Sequence, residues 1–105
     1  MEYFIWMPTK DRKPKPKPSG DRWLVYIVRC ADGSLYTGIS KDVKRRCQQH
    51  NAGTASRYTR SRRPVKLVWQ EIQQTHRSAL KRELAIKAMS RPEKLAMIRQ
   101  RKKAG

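Results

Sequence analysis

"WLVYIVRCADGSLYTGIS" (residues 23–40) decides how the rest of the chain is read. Its first eight residues are rich in β-branched and aromatic side chains, with apolar residues on both alternating faces. A central strand, covered on two sides, has that composition. "ADGS" (31–34) carries the Asp-Gly turn signal, and "LYTGIS" (35–40) returns as a second strand. The stretch is therefore expected to form a β-hairpin.

The remainder can be laid on that hairpin. Asp42 suits the N-cap of a helix through about residue 50, with Val43 and Cys47 as its apolar stripe and Gly53 to end it at positive φ. "NAGTASRYTRSRRP" (51–64) reads as a loop. "VKLVWQEI" (65–72) predicts a third strand with Val65, Leu67 and Trp69 on one face. Trp23 and Trp69 are assigned to the core. "RSALKRELAIKAM" (77–89) predicts a helix with Leu80, Leu84 and Ala88 on one face. "SRPE" (90–93) pairs Ser90 with Glu93 in a capping-box pattern, with Pro92 in the first turn. It opens a last helix holding Leu95 and Ile98. The order is ββαβαα. The expected fold is α+β: a small three-stranded, mainly antiparallel sheet flanked by helices.

The chain has 105 residues, with 26 Lys and Arg against 8 Asp and Glu, for a net charge of +18. "KDRKPKPKPSG" (10–20) alternates Lys and Pro, and proline fixes φ and removes donors. Residues 1–21 are expected to be a flexible basic tail, and residues 22–105 the folded domain. The domain alone holds 21 basic and 5 acidic side chains, so the charge belongs to the folded part. Self-repulsion of that size implies a polyanionic partner, nucleic acid first. No apolar run is long enough to span a bilayer, and "MEYFIWM" is too short for a signal-peptide core. A monomeric cytoplasmic protein is expected, nucleoid-associated if bacterial, with no membrane partner. Cys30 and Cys47 are read as reduced thiols, since His50 and His76 do not complete a metal-ligand spacing.

Five residues stand out. Tyr26 lies in the first strand and Tyr36 in the second, so a tight hairpin can bring them onto one face. Arg46 and His50 lie one turn apart on the first helix. Glu83 is the only acid in the second, among Lys81, Arg82 and Lys87. Each has an ordinary reading on its own: a packed strand tyrosine, a solvated arginine, a histidine complementing the helix dipole, or an i, i+4 partner for Lys87. Gly38 leaves space where a side chain would block a phosphate. Lys41, Arg45, Arg57, Arg60, Arg62, Arg63, Lys66 and Lys87 are candidate phosphate contacts, and Tyr58 a candidate stacking platform for an unpaired base.

"VYI" (25–27), "YTG" (36–38), Arg46, His50 and a helical Glu83, in that order, resemble the GIY-YIG nuclease superfamily. The likeness is greatest to its small stand-alone bacterial members, the YhbQ-like proteins, and covers roughly residues 22 to 98. Leu24 and Val25 replace the Gly-Ile before the first motif tyrosine, Thr37 replaces an Ile, and the lone Asn51 is not where many members carry a site asparagine. The resemblance implies that Tyr26 and Tyr36 match the motif tyrosines, Arg46 the catalytic arginine, His50 the motif histidine and Glu83 the ligand of one Mg²⁺ or Mn²⁺. It implies a metal-dependent endonuclease hydrolysing DNA, in preference to RNA, with little sequence specificity. A nucleic-acid binding module that cleaves weakly is the alternative. A phenol titrates near pH 10. Arg46, Lys41 or the metal could lower that value and make one tyrosine the base; which one stays open.

Overall fold

Strand β1 (Trp23–Arg29) is the axis of the molecule. The computed structural model describes residues 22–104, so the tail and the boundary expected at residue 21 lie outside the described residues. β1 pairs antiparallel with β2 (Leu35–Ser40) on one side and with β3 (Lys66–Gln73) on the other, giving the order β2-β1-β3. The hairpin is closed by Asp32, whose Oδ1 accepts from the Ser34 amide at 3.0 Å and the Ser34 hydroxyl at 2.6 Å. Gly33 supplies the left-handed residue of the turn at φ 87°.

Both faces of β1 are buried. Val25 and Ile27 point to one side and pack with Trp69, Ala79, Ile86 and Ile98. Tyr26, Val28 and Cys30 point to the other and pack with Val43 and Val65. Helix α1 (Val43–Ala52) covers the tyrosine face. It starts at Asp42, whose carboxylate accepts from the Arg45 amide, and stops at Gly53, φ 84°. Helices α3 (His76–Lys87) and α4 (Arg91–Ala104) cover the opposite face. The capping box expected at Ser90 forms: its amide donates to Glu93 Oε1 at 2.8 Å, and the Glu93 amide to Ser90 Oγ at 3.3 Å.

Three expectations need correction. The loop 51–64 contains a further helix, α2 (Arg57–Arg60), so the order among the described residues is ββααβαα. Four residues are too few for a periodic signal; its marker is the Ser56 cap, which accepts from the Thr59 amide. Val65, Leu67 and Trp69 do not share a face. A bulge sets Ile27 opposite Trp69 and Val28 opposite Leu67, with Val68 as the extra residue. Val65 then packs on the tyrosine face and Trp69 on the other, leaving Leu67 exposed. Finally, α3 is turned from the expected face. Leu80 and Leu84 are 40% and 67% exposed and Ala88 is exposed, while Ala79 and Ile86 are fully buried. The stripe between them holds Arg82 and Glu83, and charges there hide the inward face from a hydrophobicity pattern. Arg82 is tied down by Glu71, Nε to Oε1 at 2.7 Å, and lies over the Trp69 ring.

Candidate active site

Alternation along β1 sends Tyr26 to the face covered by α1, and the hairpin register puts Gly38 directly opposite it. That pairing gives Gly38 a different purpose from the one expected. A Cβ at position 38 would lie 2.7 Å from the Tyr26 hydroxyl oxygen and 2.8 Å from Cζ. The glycine makes room for the tyrosine ring.

The hydroxyl so seated reaches the histidine of α1. Tyr26 Oη lies 2.9 Å from His50 Nε2, and His50 Nδ1 lies 2.7 Å from Thr59 Oγ1 in α2. Ser56 Oγ is 3.0 Å beyond. Tyr26, His50 and Thr59 are at most 2% exposed, so a hydrogen-bonded line runs from strand to helix to loop through the interior. Tyr36 meets the His50 ring edge-on, centroids 5.2 Å apart. It also stacks on Tyr58 at 5.7 Å, and the Arg62 guanidinium lies 3.9 Å from the Tyr58 centroid.

The charges converge on the same place. Burial raises the Tyr26 pKa above the ordinary phenol value; Tyr36, Cys47 and Glu83 add to the rise and Arg46 opposes it. Of the two tyrosines left open as the base, Tyr26 is therefore the one whose surroundings act against a lowered phenol, and Lys41 is not among the charges acting on it. Burial first, and Arg46 second, hold His50 below the usual imidazole value, which keeps its ring neutral at pH 7. Arg46 is half-buried whereas its neighbour Arg45 is exposed, as a turn of about 100° between consecutive helical residues requires. Tyr26, Tyr36 and His50 are in contact, and Arg46 acts on both Tyr26 and His50 through its charge. Glu83 stands on α3, and its one link to this group is the small effect of its charge on Tyr26.

Glu83 is the candidate metal ligand. Its side chain is 15% exposed, and Oε2 lies 3.1 Å from the Lys87 ammonium, so a cation already sits against one oxygen. No group of three or more His, Cys, Asp or Glu able to hold a metal occurs among the described residues. A lone carboxylate fits Mg²⁺, which keeps most of its waters and takes phosphate oxygens, and does not fit a closed protein cage.

The candidate phosphate contacts divide. Arg45, Arg57, Arg60 and Lys66 are exposed and have no acidic partner among the described residues. Arg60 and Arg63 line a shallow depression of about 540 Å³ with Asn51, Ser61 and Pro64. The others are engaged within the protein. Arg62 binds Asp32 (3.1 Å) and the Tyr58 carbonyl (2.9 Å). Arg63 donates to the Arg60 and Asn51 carbonyls. Lys41 lies over Trp23 at 5.4 Å, and Lys87 holds Glu83. Tyr58 is 38% exposed, stacks on Tyr36 and has the Arg62 guanidinium against its ring. Asn51 is a staple. Its Oδ1 accepts from the Val65 amide at 2.7 Å and its Nδ2 donates to the Val65 carbonyl at 3.1 Å, tying α1 to the start of β3. Sequence reasoning missed Thr59 and Ser56. The one available signal was a Ser-x-x-Thr cap in a loop read for its charge and for Tyr58.

Comparison with known proteins identifies the family. Residues 22–96 match the model of the GIY-YIG catalytic domain. UPF0213 proteins of Staphylococcus aureus strains Mu3 and N315 are each 53% identical over 81 residues, covering 77% of this chain and 99% of theirs. The solution NMR structure of a UPF0213 protein from Bacillus halodurans superposes with a TM-score of 0.50 at 37% identity, covering 75% of this chain and 84% of that one. The Tyr, Tyr-x-Gly, Arg, His and Glu that the fold collects are the ordered set by which the sequence resembled this family, and the chain belongs to it: the GIY-YIG family, whose catalytic domain implies nuclease activity on nucleic acid.

Proposed function

We propose that the protein is a metal-dependent endonuclease that hydrolyses DNA phosphodiesters with little sequence specificity. One observation carries the reading: the buried hydroxyl of Tyr26 is hydrogen-bonded to His50 Nε2 at 2.9 Å, beside Tyr36 and under the charge of Arg46. A neutral imidazole is a partner that both satisfies the buried hydroxyl and can receive its proton.

A free tyrosinate at Tyr26 is disfavoured by burial, so the residue works as a neutral relay. The oxygen of a water attacks phosphorus while its proton passes to Tyr26 Oη. The hydroxyl proton of Tyr26 passes in the same movement to His50 Nε2. The bond from phosphorus to the 3′ oxygen breaks, and that oxygen takes a proton from solvent. Arg46 stabilises the phosphate with its planar fork as negative charge builds. When bound, Mg²⁺ or Mn²⁺ on the Glu83 carboxylate supplies neutralising charge to the phosphate and the leaving oxygen. Arg45, Arg57, Arg60 and Lys66 hold neighbouring phosphates, contacts that position a backbone without reading bases.

The test is supercoiled plasmid incubated with and without Mg²⁺ or Mn²⁺, with Glu83→Gln alongside. Metal-dependent nicking by the wild type and none by Glu83→Gln supports the reading. Salt-sensitive binding without nicking under any metal would leave a binding module on the same fold. A labelled RNA of the same sequence, cut faster than DNA, would change the substrate.

A further inference from the structure

His50 touches two hydroxyls, Tyr26 through Nε2 and Thr59 through Nδ1. A neutral imidazole carries one ring proton, so one nitrogen donates and the other accepts. The surroundings decide which. With the proton on Nε2, His50 would donate to Tyr26, and the phenolic hydrogen would need a further acceptor. Tyr26 is 2% exposed, its hydroxyl is seated against Gly38, and no second protein acceptor for it lies among the described residues; the water that the reaction above brings to it must donate to Oη, not accept from it. A buried donor without an acceptor is disfavoured.

With the proton on Nδ1, every hydrogen has a destination. Tyr26 donates to Nε2, and Nδ1 donates to Thr59 Oγ1. The Thr59 hydrogen turns to Ser56, whose Oγ lies 3.0 Å away and whose carbonyl oxygen lies 3.4 Å away. Thr59 can do this because its hydroxyl is fixed in place. The residue is fully buried in α2, and its own amide is held by the Ser56 cap at 3.1 Å.

We propose that Thr59 is a positioning residue for the reaction: it accepts the hydrogen bond from Nδ1–H of His50 and so keeps Nε2 open to the hydroxyl of Tyr26. Its catalytic consequence rests on the nuclease reading above; the proton's location does not. Thr59 touches neither the phosphate nor the attacking water. It acts through His50, as a carboxylate or carbonyl behind a catalytic histidine acts elsewhere by selecting the tautomer.

The first measurement needs no variant and no cleavage. Two-bond ¹H–¹⁵N correlation spectra of the full chain above the His50 pKa report which ring nitrogen is protonated. The expected result is protonated Nδ1; protonated Nε2 overturns the proposal whether or not the protein is a nuclease. Thr59→Val keeps the branched shape and removes the hydroxyl, and Thr59→Ser restores the hydroxyl on a smaller side chain. The valine variant should lose the Nδ1 preference and lower kcat by at least about 10-fold with KM unchanged, within the range that positioned proton transfer contributes. The serine variant should recover both. Wild-type tautomer and wild-type kcat in Thr59→Val would also overturn the proposal.

Discussion

Gly38→Ala separates two explanations of one glycine. A Cβ there meets Tyr26 Oη at 2.7 Å and Cζ at 2.8 Å, below the 3.0 Å that real Cβ atoms essentially never breach. The ring cannot yield easily, because Tyr26 is 2% exposed and packed in the core with Val28, Cys30, Val43 and Val65. Forcing one methyl into a filled core costs about 1–3 kcal/mol. In a domain this small each kcal/mol is worth roughly 4–8 °C of melting temperature. The hydroxyl must also move from His50 Nε2, and a misplacement near 1 Å costs about 10²-fold in rate. Expected, then, are a melting point lower by at least about 4 °C, nicking lower by about 10²-fold, and DNA affinity unchanged. Thermal unfolding, plasmid nicking and fluorescence anisotropy give the three readings. The control is Tyr26→Leu, which lacks the ring atoms that the alanine would strike; in that background Gly38→Ala should cost little further stability. An alanine variant that melts with the wild type but binds DNA weakly would refute this reasoning and return Gly38 to the phosphate.

Arg46→Lys should leave DNA binding nearly unchanged and lower single-turnover cleavage by about 10²-fold, because lysine lacks the guanidinium fork; exposed Arg45→Lys should cost little, and equal losses would reduce α1 to a basic surface. Tyr26→Phe should match Arg46→Lys in severity while the circular dichroism spectrum stays native, and normal nicking by this variant would remove the phenol from the chemistry. Titrating salt in the anisotropy assay should lower affinity steeply, as released counterions require; a flat plot removes Arg57, Arg60 and Lys66 from the interface. His50 is held below 6.5 when folded, so in the interval below that value the unfolded chain binds more protons and stability rises with pH. The contribution should be complete above pH 6.5 and lost as pH falls through the folded value; denaturant midpoints should show this in the wild type and a flatter profile in His50→Gln.

How much of this was legible follows from what each element asks of its residues. β1 is buried on both faces and reads so, because a central strand needs apolar side chains at every position. The caps at Asp42, Gly53 and Ser90 read correctly because capping is a local bond between residues a few positions apart. α3 misread because Arg82 and Glu83 lie on its inward stripe, paired to Glu71 and Lys87, while Leu80 and Leu84 stand outside. The third strand misread because a bulge at Val68 is set by pairing with β1, which no alternation within the strand records. The five candidate site residues were singled out by order and type. Their geometry was not: Gly38 against Tyr26 and Thr59 against His50 are contacts between distant positions, and loop 51–64 was read for its charge when Thr59, Arg62 and Arg63 serve as internal ties.

The line from Tyr26 to Thr59 joins the most protected part of the molecule to one of the least. β1 is laddered on both edges and buried on both faces, so its amides should exchange with solvent only when the whole sheet opens. α2 has four residues, too few to stand as a helix by itself, and is held by the Ser56 cap, the Thr59–His50 bond and the arginine bonds to the Tyr58 and Arg60 carbonyls, so its opening is set by those few ties and not by a sheet ladder. The phenol and the imidazole that receives its proton therefore answer to different opening equilibria. Under mild heat or denaturant the support behind His50 is expected to loosen before the strand that holds Tyr26, which residue-resolved amide exchange of Thr59 and Tyr26 would show. Activity is the more fragile of the two properties, and a protein that still shows a native sheet can already have lost the partner its tyrosine needs.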